Sequence, residues 1–479
     1  RILMLAVAFA FFVFATWKTA KRNWKIAAAV VPLIAAYALW KSFAADWPPG
    51  AREVSLVRAC TAAVGLFTVL RVALAPRKWA ADSWAVLSTL AVCGVFAVLS
   101  FFNLGHPQFV DHHTNGSRFI HDFDMRMYYP PAKYWKELHY DGVYLASAQA
   151  YTEIENKPVE TIARTPMRSM TTHRMTTFGE AAGDMRAVKA RFSEERWQAF
   201  LEDMRYFRRK MGQNDYLSTL TDHGANATPV WMTIAHALFR WTPVSDGVLM
   251  FGALLDPLLL IITFLVIGRT FGLPAMFMTM IVFGANDFYM FGSNWAGATL
   301  RHDWMAYLGL GICALARQRW KAAGALLMLS AMIRAFPAMA LVGAAIPAVA
   351  WLLHFYSVHK KLPTFQQLKK EQGPIVEVAY GALICGLVAF AVSSAVLGFS
   401  AWPEWYHKVT LLESGAAVNQ VSWRGLIAGP ESMHDRVFKA RSASTGPVSS
   451  PSAPSPSTPP ASASSIRAPS SDSCSSPSS

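Results

Sequence analysis

Charge is scarce in this chain. Asp, Glu, Lys and Arg together make 15% of its 479 residues, where a soluble protein carries nearer ~25%. That shortage argues against an ordinary soluble domain. Cysteine is scarcer still, with five residues. Cys60, Cys93, Cys313 and Cys385 lie singly in apolar segments and Cys474 in the C-terminal tail; no two have metal or redox spacing, so no disulfide framework is expected. No internal repeat is visible, which leaves the paired halves of a transporter without a signature. Acidic residues are outnumbered by basic ones, 30 to 44, for a net charge of +14. Nucleic acid is nevertheless not the expected partner, because the basic residues sit in short loops between apolar runs, where they set orientation.

Apolar residues are what the chain has most of, at 53%, and they come in long runs. Ala27 to Ala45, Trp84 to Leu104, Val248 to Ile267 and Ile375 to Phe399 are each about long enough to cross ~30 Å of hydrocarbon. The fold class read from this is an all-α polytopic membrane protein. The run Ile2 to Trp17 lacks a basic region before it and a small-residue cleavage site after it, so it reads as a span and not a secretion signal. With Arg1 in place of Met, the true start is expected upstream.

Four basic loops, at 18–25, 77–78, 317–321 and 359–370, all fall in the cytoplasm in one topology. It has spans at 2–17, 26–45, 55–75 and 84–104, then 247–267, 274–292, 302–316, a short pair 321–334 and 336–356, and 375–399. The organisation is then 1–104, N-terminal transmembrane helices; 105–246, an extracytoplasmic loop region; 247–430, C-terminal transmembrane helices and an outer loop; and 431–479, a tail. The localisation implied is multi-pass in the cell inner membrane. "PVWMTIAHALFRW" (229–241) is short for a span and is expected as an interfacial or re-entrant helix. "SEERWQAFLEDMRYFRRKMG" carries Trp197, Phe200, Leu201, Met204 and Phe207 at helical spacing, the stripe of a helix packed on its own domain or on the membrane surface. The Ser/Pro/Ala-rich tail cannot bury a core. It is either disordered or the product of a truncation or frame-shift, and no function is assigned to it.

Ionisable chemistry concentrates just past the fourth span, in "RFIHDFDMRMYYPPAKYWKEL" (118–138). A carboxylate at a membrane–water boundary can serve as a general base if its surroundings set its pKa. Asp111, Asp122 and Asp124 are available, with Arg118 and Arg126 nearby and Tyr128, Tyr129, Tyr134 and Trp135 as stacking surfaces. A sugar joined to a phosphate needs these groups: aromatic faces for the ring, a guanidinium fork for the phosphate, a carboxylate for the acceptor hydroxyl. The alternative is a solvated loop with ordinary ion pairs. His112, His113 and His121 with Asp111 and Asp122 are potential metal ligands, but their spacing matches no defined zinc pattern. No metal site or cofactor is assigned, and a divalent metal stays open.

"DMRMYYPPAKYW", an Asp with a Tyr four positions on directly after a membrane helix, resembles the first-loop motif of the GT-C superfamily of membrane glycosyltransferases. It is most similar to glycosyltransferase family 87, the polyprenyl-phosphate-mannose-dependent mannosyltransferases and their uncharacterised relatives. "NATPVWMTIAHALF" (226–239), "LLMLSAMIRAFPAMALVG" (326–343) and "NQVSWRGLIAG" (419–429) resemble further motifs of that family, in its order. The resemblance implies a GT-C-like helix bundle with a large first-loop insert. It also implies a catalytic base at Asp124, with Asp122 as the second choice. Three spans precede the loop-bearing helix where many relatives have one, and the insert is long, which points to an unusual acceptor.

Other ionisable residues fit a lipid-phosphate site. Arg301, His302 and Asp303 stand at the outer start of a span, and Arg334 interrupts an apolar run; the alternative for Arg334 is snorkelling to the interface. Asp256, mid-span, is expected to pair with Arg269 or Arg58. His223, Asn226, Asn419, Gln420 and Trp423 are candidate sugar or acceptor contacts, with Tyr128 and Tyr129, while Arg126, Arg118, Arg301 and Arg334 are candidates for the donor phosphate. The expected activity is inverting transfer of a sugar, mannose by resemblance, from a polyprenyl-phosphate donor to a lipid or glycan acceptor outside the cytoplasm. The competing reading is a transporter or flippase for a lipid-linked or anionic substrate.

Overall fold

The computed structural model describes residues 51–74, 83–286 and 296–414. The expected spans 2–17 and 26–45, the tail, and Asn419, Gln420 and Trp423 lie outside the described residues. Within them are sixteen α-helices and two small β-hairpins. Five helices are long and apolar enough to cross a bilayer: α1 (Ala51–Leu74), α2 (Trp84–Phe101), and, beyond the insert, Asp246–Phe271, Ala338–His359 and Gly373–Leu397.

The insert is a folded helical domain. A hairpin of β1 (Phe109–Asp111) and β2 (Gly116–Arg118) leads into α3 (Asp122–Lys133), a single turn α4 (Trp135–Leu138) and α5 (Gly142–Ile154). Asp122 and Asp124 occupy the first turn of α3, where the helix dipole favours negative charge. Pro130 and Pro131 remove two helical donors near its end. A second hairpin, β3 (Pro166–Arg168) with β4 (Met175–Thr177), precedes α6 (Phe178–Lys189), which starts on a Thr177–Glu180 capping box. Next come α7 (Glu194–Thr219) and α8 (Pro229–Phe239). Ser193 caps α7, and all five residues of its expected stripe are buried. They meet Tyr134, Trp135, Tyr144 and Tyr216 in one aromatic core. Buried Asp203 accepts from Lys133 at 2.7 Å, Tyr134 at 2.8 Å and the Val244 amide at 3.0 Å, so this carboxylate is satisfied.

The remaining helices are α9 (Asp246–Phe271), α10 (Leu273–Ala285), α11 (Asp303–Ala316), α12 (Trp320–Ile333), α13 (Ala338–His359), α14 (Phe365–Glu371), α15 (Gly373–Leu397) and α16 (Ala401–Ser414). Pro229–Phe239 is indeed a short helix. Val230, Trp231, Met232, Ala235 and Phe239 are all buried in it, so it is largely enclosed by protein. The insert also ties off helix ends whose last carbonyls have no partner within the helix. Trp135 Nε1 donates to Leu397 O at the end of α15 (2.7 Å), and Thr228 Oγ1 to Ile333 O at the end of α12 (3.4 Å). Outward, Val342, Ile346, Val349 and Leu353 of α13 and Leu383, Leu387 and Val392 of α15 are exposed. Apolar faces of that extent suit hydrocarbon.

Small residues let the apolar helices touch backbone to backbone, as in membrane bundles generally. A Cβ on Gly324 of α12 would stand 1.9 Å from Val378 O of α15, and one on Gly381 of α15 2.0 Å from Lys321 O. Gly343 of α13 has nothing within 4 Å of a Cβ. Gly324→Val and Gly381→Val should each cost about 1–3 kcal/mol by overpacking, while Gly343→Val should be close to neutral. Thermal unfolding of the three variants in detergent checks this; equal midpoints would refute the close α12–α15 contact.

Candidate functional site

The segment 296–303 meets α3 at the end of the insert. Gly297 holds φ at +81°, and a Cβ there would lie 2.0 Å from Phe119 O. Its carbonyl accepts from His121 N at 2.9 Å. Only glycine allows this approach, and it carries Arg301 to the first turn of α3. Arg301 Nε lies 3.0 Å from Asp124 Oδ2. Arg301 Nη1 donates to the Tyr128 hydroxyl at 3.2 Å, and that hydroxyl donates to Asn226 Oδ1 at 3.1 Å. His121 Nδ1 is 3.6 Å from the same Asp124 oxygen. The Tyr128 ring meets Trp231 edge-on at 5.1 Å between centroids, and Trp231 Nε1 donates to Leu300 O at 2.9 Å.

Asp124 and Arg301 are both nearly sealed from solvent. Burial alone would raise the Asp124 pKa. Arg301, His121 and Arg334 outweigh it and hold the carboxyl below the ordinary carboxylate range. Burial likewise works against the Arg301 charge, and Asp124 and Tyr128 more than restore it. Each member of the pair thus favours the charged form of the other. Arg334 follows the end of α12, where the chain turns extended before α13, and acts electrostatically on both Asp124 and Asp303.

The other expected site residues divide around α3. Asp122, two residues from Asp124, faces a different network. Arg118 Nη1 is 3.2 Å from Asp122, and Arg118 Nη2 is 3.0 Å from Asp246. Lys210 bridges Asp111 at 2.7 Å and Asp246 at 3.0 Å. This network joins the first hairpin, α3, α7 and α9, so Arg118 is a structural tie. Arg126 is fully buried, its guanidinium 4.9 Å from the Tyr216 ring centre, and makes no contact with Asp124. Tyr129 is equally buried, donates to Thr242 O at 2.6 Å and packs on Phe207 and Phe239; it belongs to the insert core. His223 pairs with His173 at 2.8 Å. Among the described residues no three His, Cys, Asp or Glu side chains converge as a metal would require.

The expected pairing of Asp256 with Arg269 or Arg58 is corrected. Asp256 accepts from the Arg301 and His302 amides at 2.9 and 3.2 Å and sits 2.9 Å from His302 Nδ1, while Arg58 donates to Ser100 O at 3.1 Å. Asp256 therefore fixes the backbone that aims Arg301. The signal for it lay in the sequence as a charged residue within a span, but its partner is 46 positions away and no local pattern names it.

Asp122 and Asp124 also differ in charge behaviour. Neither Asp122 oxygen has a hydrogen bond among the described residues, and burial pushes its carboxyl up to about 6, with Arg118 opposing and Asp111 and Asp246 adding. Between about pH 4 and 6 the folded chain keeps a proton that the unfolded chain has released, so stability should fall as pH rises through that window. Asp122→Asn should remove this slope. Unfolding midpoints of both proteins across the window test it, and an unchanged slope in the variant would place the titration elsewhere.

Comparison with protein-family models, with curated proteins and with solved structures finds no match.

Proposed function

We propose that the chain is a membrane glycosyltransferase of the GT-C kind, moving a sugar from a polyprenyl-phosphate donor to an acceptor on the extracytoplasmic face. The observation that carries this reading is the chain Asp124–Arg301–Tyr128–Asn226. Asp124 with Tyr128, and Asn226, come from two stretches that resemble the family's motifs, and Arg334, from a third, acts on Asp124 through space. They meet beside apolar helices able to hold a lipid tail. The sugar, with mannose first by resemblance, and the acceptor belong to the same proposal.

In this mechanism the acceptor oxygen attacks the sugar's anomeric carbon, the bond from that carbon to the phosphate oxygen breaks, and the lipid phosphate leaves with the electron pair. Asp124 takes the acceptor's proton. Arg301, helped by Arg334, stabilises charge growing on the phosphate. A carboxylate pinned by arginine is a weak base. A bound donor phosphate gives the Arg301 guanidinium a second acceptor, which loosens its hold on Asp124 and raises the basicity of the carboxylate. Donor binding therefore precedes deprotonation of the acceptor.

One observation favours the transporter reading. His302 is buried against Asp256 inside the helix bundle, and its Nε2 has no hydrogen-bond partner among the described residues, which leaves a ring nitrogen free for proton relay. A panel of radiolabelled polyprenyl-phosphate sugars presented to purified protein separates the two, since a transporter releases no lipid phosphate.

Asp124→Asn should lower sugar transfer by roughly 10²–10⁴-fold while donor binding persists, and Asp122→Asn should cost much less. Losing the carboxylate leaves Arg301 buried without its partner, a cost of about 3–5 kcal/mol in stability, so folding is followed by size-exclusion profile alongside both assays. Near-normal transfer in the Asp124 variant would refute the assignment. Sidedness is tested with cysteines at Gly183, where a Cβ has nothing within 4 Å, and at Leu362, 75% exposed, in a cysteine-free background. An impermeant thiol reagent applied outside should label the first and not the second, and the reverse pattern would sink the extracytoplasmic site.

A further inference from the structure

The turn that carries Asn226 meets a second set of cations. Trp405 and Lys408 stand three apart on α16 and so share a helix face. Trp405 Nε1 donates to the Asn226 carbonyl at 3.3 Å, and Lys408 approaches the same turn at Gly224. Lys408 is 3% exposed, and its ammonium donates to the Met170 thioether at 3.1 Å. Sulfur is a weak acceptor. Asp222 and Asp141 act on Lys408 through space without a hydrogen bond, and Asp141 is already paired with Arg191. Burial lowers the Lys408 pKa to about 8 against the pull of those acids, so the group remains cationic at neutral pH. Gly224, with φ at +77°, is what lets the turn lie over the amine: a Cβ there would stand 2.8 Å from Lys408 Nζ and 2.4 Å from Met170 Sδ.

Arg126 is the second cation. Among the described residues its Nε and Nη2 have no hydrogen-bond partner; its guanidinium otherwise meets the Met127 thioether, 3.9 Å from Nη1, and the Tyr216 phenol, with no carboxylate beside it. It bears on the same turn through Tyr144. That phenol is hydrogen-bonded to the Gly224 backbone, donates to Met127 Sδ at 3.5 Å, and feels Arg126, Arg168 and Asp222. Arg168 is the third cation, donating to the Thr221 and Asp222 carbonyls at 3.0 and 3.1 Å and to His173 O at 3.0 Å. Three cations thus bear on one turn, and two of them are buried with weak acceptors, Lys408 on a thioether and Arg126 on a thioether and a phenol. Desolvated charge without an ionic partner is costly and is retained where an anion arrives.

We propose that Lys408, with Arg126 and Arg168 around the 221–226 turn, forms a second anion site that takes a phosphate group. A lysine is a point charge that accepts a phosphate in many orientations, and Met170, an unbranched thioether, is easily displaced from it. The site is distinct from the Asp124–Arg301 pair but shares its turn, since Asn226 accepts from Tyr128. It stands whether or not the chain transfers sugar. The phosphate comes either from a lipid headgroup or from a water-soluble phosphate compound.

The test uses the full chain in a phosphate-free glycoside detergent, titrated with inorganic phosphate and, separately, with a short-chain lipid phosphate, read by calorimetry and thermal shift. Lys408→Met keeps length and removes a buried charge, so it should fold at least as stably as the parent. Phosphate should stabilise the parent; Lys408→Met should lose one binding component, its affinity falling by at least about tenfold, and that component should survive in Arg301→Lys, which affects only binding at the Asp124–Arg301 site. Tighter binding of the lipid phosphate, lost in the same variant, identifies a headgroup; equal binding of both probes identifies a soluble phosphate. The proposal is overturned if phosphate leaves the parent unaffected, if Lys408→Met binds as the parent does, or if Arg301→Lys and not Lys408→Met abolishes binding.

Discussion

The arrangement depends on the buried pair of Asp124 and Arg301. Each charge alone in so closed a place would carry a desolvation cost that its partner offsets. Each therefore fixes the other. The pair holds the first turn of α3 against segment 296–303, and so the insert against the apolar helices. Around it the approach is prepared by Gly297, which has no side chain to obstruct it, and by Asp256, which grips the Arg301 and His302 amides.

Helical geometry explains how one short stretch supplies two separate charge systems. Residues two apart lie roughly 200° apart around a helix, and residues four apart share a face. Asp124 and Tyr128 accordingly look toward Arg301, while Asp122 looks toward Arg118, and Arg126 enters the aromatic core of the insert. The two aspartates then titrate in opposite directions from nearly the same sequence position. One has an arginine, a histidine and a second arginine acting on it, and the other has burial that outweighs Arg118, with no hydrogen bond among the described residues. A linear motif cannot convey that difference.

The insert and the apolar helices are built by different rules. In the insert, large aromatic side chains fill the core and one buried carboxylate, Asp203, is fully satisfied. Among the apolar helices, glycines allow backbones to touch, and the outward faces of α13 and α15 stay apolar. The joints between the two regions are hydrogen bonds from Trp135 and Thr228 to carbonyls that end helices. These joints place the polar domain on the ends of helices whose sides suit hydrocarbon.

The sequence by itself determined the helical class, the apolar runs, the buried stripe of α7 and the short helix at 229–239, because these follow from local period, length and hydrophobicity. It also offered Asp124, Tyr128, Asn226, Arg301 and Arg334, among others, as candidates for one site. Only the tertiary structure decided which of them meet. The pairing of Asp124 with Arg301 closes a loop of 177 residues, and those of Asp256 with His302 and of Lys408 with the 221–226 turn are also long-range. It likewise removed Arg118, Arg126 and Tyr129 from the cluster, since the face of a helix that a residue occupies, and what covers that face, is settled by packing between distant segments and not by neighbours in the chain.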